Sequence, residues 1–153
     1  GGQINDSGSH LIDILMWITG LKIAEVYAEM ENFDTEVDIN STLAMKFTNG
    51  ALGNVAIIGN APGWHEDVTV IGSKGAFYLR QGQALIRQNG TGKHMKVALP
   101  KYKKNPDANF VDAVLGKDEP QAPAICGLRV IEVTEAAWKS AKSGRVVTVN
   151  SSD

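Results

Sequence analysis

An aspartate and a histidine four positions apart, Asp6 and His10, lie in "GGQINDSGSHLIDILMWITG", directly before an almost wholly apolar run. A histidine with a carboxylate in reach keeps a defined tautomer and suits a general acid or base near neutral pH. At about 100° per residue, Asp6, His10, Asp13 and Trp17 fall within about 60° of one another on a helical wheel, provided the helix extends back to Asp6. Such a stripe puts two carboxylates around one imidazole. The competing reading is structural: Asp6 or Ser7 caps the helix, His10 bonds a nearby carbonyl, and Asp13 satisfies a buried backbone donor. Caps are commoner than sites, so spacing alone favours the structural reading. No second His or Cys follows at ligand spacing, so no metal site is expected.

Other stretches carry weaker chemistry. "NGTGKH" has a phosphate-loop flavour, but Arg87 stands where the first glycine is needed and His94 follows Lys93, so it reads as a hairpin turn. No G-x-G-x-x-G follows any candidate strand, so the chain shows no dinucleotide-binding half of its own. "PKYKK" reads as a solvated basic loop. Trp64 and His65, in "APGWHED" after a Pro-Gly turn, could line a ligand face or pack on a sheet edge. The lone Cys126 excludes an intramolecular disulfide and reads as a small buried hydrophobe within a helix.

The elements that would position these groups follow from period and punctuation. With 153 residues, 43% of them hydrophobic, the chain is long enough for one ordinary domain with its own core, residues 1–153. A net charge of −2 without a basic block argues against nucleic acid, and no apolar run approaches the roughly 20 residues that span a bilayer. Ser7 to Thr19 reads as a helix closed by Gly20. Alternating runs from "LKIAEVYAEM" onward, punctuated by Asn49-Gly50 and by glycines at 72–75, 82 and 90–92, predict about six or seven strands in an antiparallel meander. Helices follow near Pro106 and from Pro123 to Ser143, each closed by a glycine, and "RVVTV" is a last strand. The expected class is α+β: an open, mostly antiparallel sheet with helices on one face.

Taken in order, these motifs resemble the C-terminal domain of the Gfo/Idh/MocA family of NAD(P)-dependent sugar and polyol oxidoreductases. The family pattern has a Gly-rich approach, D-x-x-x-H, then H-x-x-D and an apolar helix ending in W-x-x-G, matched here by Asp6, His10, Asp13, Trp17 and Gly20. "FTNGALGNV", "VTVIGSKGAFYL", "FVDAVLG" and "GLRVIEVTEAAWKSAKSGRVVTV" extend the resemblance to the end of the chain. It implies that His10 accepts the substrate hydroxyl proton while hydride leaves for nicotinamide, with Asp6 supporting it. It implies a substrate-facing role for Trp64, with His65 beside it, and a structural one for Asp13. NAD or NADP would be bound mainly by an N-terminal Rossmann domain, which is absent here, as is the family's E-K-P segment. The fragment alone is therefore expected to be inactive and to bind no cofactor. The resemblance also implies a cytoplasmic protein, a sugar or polyol as partner, and a homo-oligomer formed through the open sheet face. The alternative is a non-catalytic assembly or ligand-sensing module of the same fold.

Overall fold

A computed structural model of the chain describes residues 1–81, 84–88, 90–98 and 105–150. Its elements are α1 (Ser7–Thr19), β1 (Ile23–Glu31), β2 (Asn40–Phe47), β3 (Leu52–Ile58), β4 (Asp67–Gly72), β5 (Gly75–Arg80), β6 (Ala84–Gln88), β7 (His94–Val97), α2 (Pro106–Val114), α3 (Ala124–Ser143) and β8 (Val147–Thr148). They belong to two compact units, Gly1–Ala61 with Pro120–Asp153, and Pro62–Glu119. The run of strands divides after β3 into two four-stranded sheets, ordered β3-β2-β1-β8 and β4-β5-β6-β7, each wholly antiparallel.

In the first unit, register decides which side chains meet. Leu43 pairs with Ala28 on one side and Val55 on the other, and Met45 with Val26 and Gly53. Because neighbouring strands align these residues, one face of the sheet is apolar, and alternate positions Ser41, Leu43, Met45 and Phe47 are buried. Helices α1 and α3 cover this face, adding Ile12, Val130, Val133, Ala136 and Ala137 to the core. The opposite face carries Thr42, Ala44, Asn54 and Ala56, all exposed. Asn49-Gly50 forms the expected hairpin: Gly50 takes a φ of 88°, and the Asn49 side chain accepts from the Ala51 N–H at 3.0 Å.

The second unit is a meander followed by α2. Asn105 caps α2 by accepting from the Ala108 N–H at 2.8 Å, and Pro106 occupies the first turn, where its missing N–H costs nothing. Asn109, buried at 5% exposure, donates to the Glu119 carbonyl at 2.9 Å and so ties the helix to the segment that follows it.

Two local expectations need correction. Pro123 is the N-cap of α3 in extended conformation, so the helix begins one residue later, at Ala124. Cys126 is only partly buried: it lies in the first turn of α3, near the exposed Ile125 and Leu128, and the buried stripe starts at Val130. Leu99 to Lys104, containing the "PKYKK" stretch, and Gly82 lie outside the described residues.

Candidate functional site

The first-unit candidates stand at the amino end of α1. Asp6 is the N-cap with φ −95° and ψ −97°, so the helix starts at Ser7 and does not extend back to Asp6. Its side chain makes no capping hydrogen bond; its carbonyl instead accepts from the Ser9 hydroxyl at 2.7 Å and the Ser9 N–H at 3.2 Å. The capping reading of the aspartate is thus not what this end of the helix uses. Asp6 and His10 are both exposed, one turn apart, and no hydrogen bond or ion pair joins their side chains. Asp13 and Trp17 continue the same stripe, Asp13 partly buried and Trp17 exposed, while Ile12 on the other side has no accessible surface. An exposed imidazole at this position has the chemistry to exchange a proton with an incoming hydroxyl.

A cavity of about 430 Å³ opens beside Asp6, lined also by Gln3, Asn5 and Asp38. Asp38 is a buried carboxylate at 5% exposure, and it accepts from the Ile4 N–H at 2.7 Å and the Ser41 hydroxyl at 3.1 Å. Sequence reading misses it because its main partner is 34 residues away and nothing local marks it.

In the second unit Trp64 is 79% exposed, so it presents a free aromatic face instead of packing on the sheet edge. His65 has both ring nitrogens engaged. Its Nδ1 lies 2.8 Å from the Gln81 amide nitrogen and its Nε2 3.3 Å from Asp67 Oδ2. An amide nitrogen only donates, so Nδ1 accepts and Nε2 carries the hydrogen toward the carboxylate. Asp67 also receives the Gln81 N–H at 3.2 Å and lies 3.6 Å from Arg80 Nη1. Asp67, Arg80 and Gln81 were not singled out in the sequence, although one signal exists: counting outward from the paired Gly72 and Gly75 places Asp67 opposite Arg80.

Among the described residues no group of three or more His, Cys, Asp or Glu side chains could hold a metal ion, and no helix is long and apolar enough to cross a membrane. Nor do they offer a dinucleotide cradle. Such a cradle needs parallel strands with a glycine-rich turn leading into a helix, and every strand pair here is antiparallel.

An α+β chain of this architecture has counterparts among known proteins. Residues 1–78 match the family model described as GFO/IDH/MocA C-terminal domain. The chain belongs to that oxidoreductase family. It is 30% identical over 111 residues to the mouse glucose-fructose oxidoreductase domain-containing protein 1, covering 65% of this chain and 28% of that protein. Its fold is that of the aldose-aldose oxidoreductase of Caulobacter crescentus, solved with glycerol (TM-score 0.86, 24% identity, 97% of this chain and 48% of that one). Levoglucosan dehydrogenase, solved with NADH and levoglucosan, is similar too (TM-score 0.85, 17% identity, 98% and 50%). The chain thus spans about half the length of these solved relatives and less of the mouse protein.

Proposed function

We propose that this chain is the substrate-binding and proton-handling part of an NAD(P)-dependent oxidoreductase acting on a sugar, a polyol or a related hydroxyl compound. The observation that carries the reading is the placement of Asp6 and His10 one turn apart at the exposed amino end of α1, in a chain of this family. In the oxidative direction the hydroxyl oxygen gives its proton to the His10 ring, with Asp6 as its supporting neighbour, and the carbon is left as a carbonyl. The carbon-bound hydrogen leaves as hydride, for which nicotinamide is the acceptor, held by parts of the protein other than these residues. Bound sugars and glycerol in the structural relatives support a polyhydroxylated substrate. Trp64, in the second unit, offers an exposed apolar ring face of the kind that stacks on the C–H side of a sugar. His65, already hydrogen-bonded at both nitrogens, holds its neighbours in place and offers no free proton acceptor.

The uncovered face of the first sheet, with Thr42, Ala44, Asn54 and Ala56 exposed, is the surface through which the protein would form a homo-oligomer. The deciding experiment is His10→Asn in the full-length protein. Turnover should fall by three orders of magnitude or so, in line with the roughly 10²–10⁴-fold contribution of general acid–base catalysis, with assembly and folding intact. Unchanged turnover would leave only the non-catalytic module. The 153-residue chain by itself should show no redox activity, and calorimetric titration with NADH should show no micromolar binding.

A further inference from the structure

The segment leading into α1 is fastened to the first sheet at more points than its length would require. The Asp38 carboxylate takes the Ile4 N–H at 2.7 Å and the Ser41 hydroxyl at 3.1 Å, both on Oδ2, and its main-chain oxygen takes the Gln3 N–H at 2.9 Å. From Gln3 and Gly2 the connection continues into the helix head, since the Gln3 carbonyl accepts from Gly8 N–H at 2.9 Å and the Gly2 carbonyl from Asp6 N–H at 3.1 Å.

Close packing reinforces the bonds. Gly2 sits at a φ of 89°, and a Cβ placed on it would fall 1.9 Å from Asp38 Oδ1. A Cβ on Gly59 would lie 2.6 Å from Gln3 Cγ and 2.6 Å from the Ile39 carbonyl. Ile4, between them, has no accessible surface. Burying a carboxylate is unfavourable unless its oxygens are satisfied. Here Oδ2 is satisfied by the Ile4 N–H of the turn leading to Asp6 and by the Ser41 hydroxyl, not by another charge.

We propose that Asp38 is a positioning residue, which sets the location of Asp6 and His10 by fixing the Gly1–Ile4 turn against the sheet. The proposal rests on the reading of Asp6 and His10 given above. Its chemical content is that a displacement of about 1 Å at a reacting group can cost on the order of 10²-fold in rate.

The test uses the full-length protein with Asp38→Ala, Asp38→Asn and, as a control, His10→Asn. In Asp38→Ala, kcat per folded molecule should fall by about 10- to 100-fold, with KM for the nicotinamide cofactor unchanged. Asp38→Asn keeps a carbonyl acceptor for the Ile4 N–H and should recover most of the loss. Amide exchange at Gly8 and Ser9 should quicken in Asp38→Ala, while that at Leu43 and Val55 in the core of the sheet should not. Wild-type kcat per folded molecule, or unaltered exchange at Gly8 and Ser9, overturns the proposal. Should Asp38→Ala fail to fold, Asp38→Asn and Ser41→Ala carry the same comparison, each with a smaller expected loss. Retained turnover in the His10→Asn control would instead overturn the role given to His10, and the exchange measurement would then decide the role of Asp38 alone.

Discussion

The hydroxyl of Ser140, on α3, accepts from the backbone N–H of Ala28, on β1, at 3.0 Å. The same oxygen donates to the Arg145 carbonyl at 2.6 Å, so one side chain satisfies a strand donor and a carbonyl just past the end of its own helix. Ser140 and Ala28 are both buried while Arg145 is exposed, so of the two backbone groups it is the Ala28 N–H that has no water to turn to.

Ser140→Ala should therefore cost more than a typical hydrogen bond. The Ala28 N–H is left buried without a partner, and an unsatisfied buried group costs about 1–3 kcal/mol, so the variant should lose roughly that much. Urea denaturation measures it. A loss under about half a kcal/mol would show that a water molecule or a shifted strand replaces the hydroxyl.

Thr134 gives the opposite sign. It is fully buried in α3, and its hydroxyl oxygen has no hydrogen-bond partner. Valine has the same shape without the polar atom, so Thr134→Val should be neutral or stabilise by up to about 2 kcal/mol. The same denaturation experiment decides it, and a clearly destabilised variant would reveal a partner for that oxygen.

Tyr27 donates its phenolic hydrogen to the Glu29 carboxylate, and this bond, together with the negative charge of Glu29, holds its pKa above the ordinary 10.0. A folded-state value above the unfolded one contributes stability below the unfolded value, and that contribution is lost as pH rises through the folded value. Spectrophotometric titration should show one tyrosine ionising later than normal, and Glu29→Gln should bring it down. Identical titration curves for the two proteins would contradict the pairing.

Trp64 offers the most direct test of the second unit. In the full-length protein, Trp64→Ala should raise KM for the sugar or polyol by about 10-fold, the loss of one stacking contact of roughly 1–2 kcal/mol, with kcat little changed. A fall in kcat at constant KM would argue for a different role. His65→Ala should have a smaller effect of the same kind, because its ring nitrogens are already occupied by Gln81 and Asp67.

Most elements were legible because their signals are local. Asn49-Gly50 announces the β2–β3 hairpin, Gly20 and Gly144 end α1 and α3 with φ of 67° and 66°, and the period of two in β2 matches its burial. What depends on distant pairing was not legible. No residue near Ile58 says that β4 will open a second sheet, and the helical wheel could not reveal that Asp6 falls just outside the helix. Asp6, His10, Trp64 and His65 stand out in the sequence as candidates, but the roles proposed for them come from the order of motifs along the chain and not from spacing. Asp38 and Gln81 escaped because their partners, Ile4 and His65, lie 34 and 16 positions away.

The first sheet is assembled from both ends of the chain. Strand β1 pairs with β8, and its apolar face is covered by α3, both drawn from the segment after Pro120. On a ribosome these are made after residues 62–119. With synthesis at about 5–20 residues per second, Val26 and Leu43 stay without the cover of α3 for several seconds while residues 62–119 are being made. The nascent chain thus presents an apolar sheet and an open strand edge to the cell before it can close either, which makes its birth, more than its finished state, the stage at which chaperones matter.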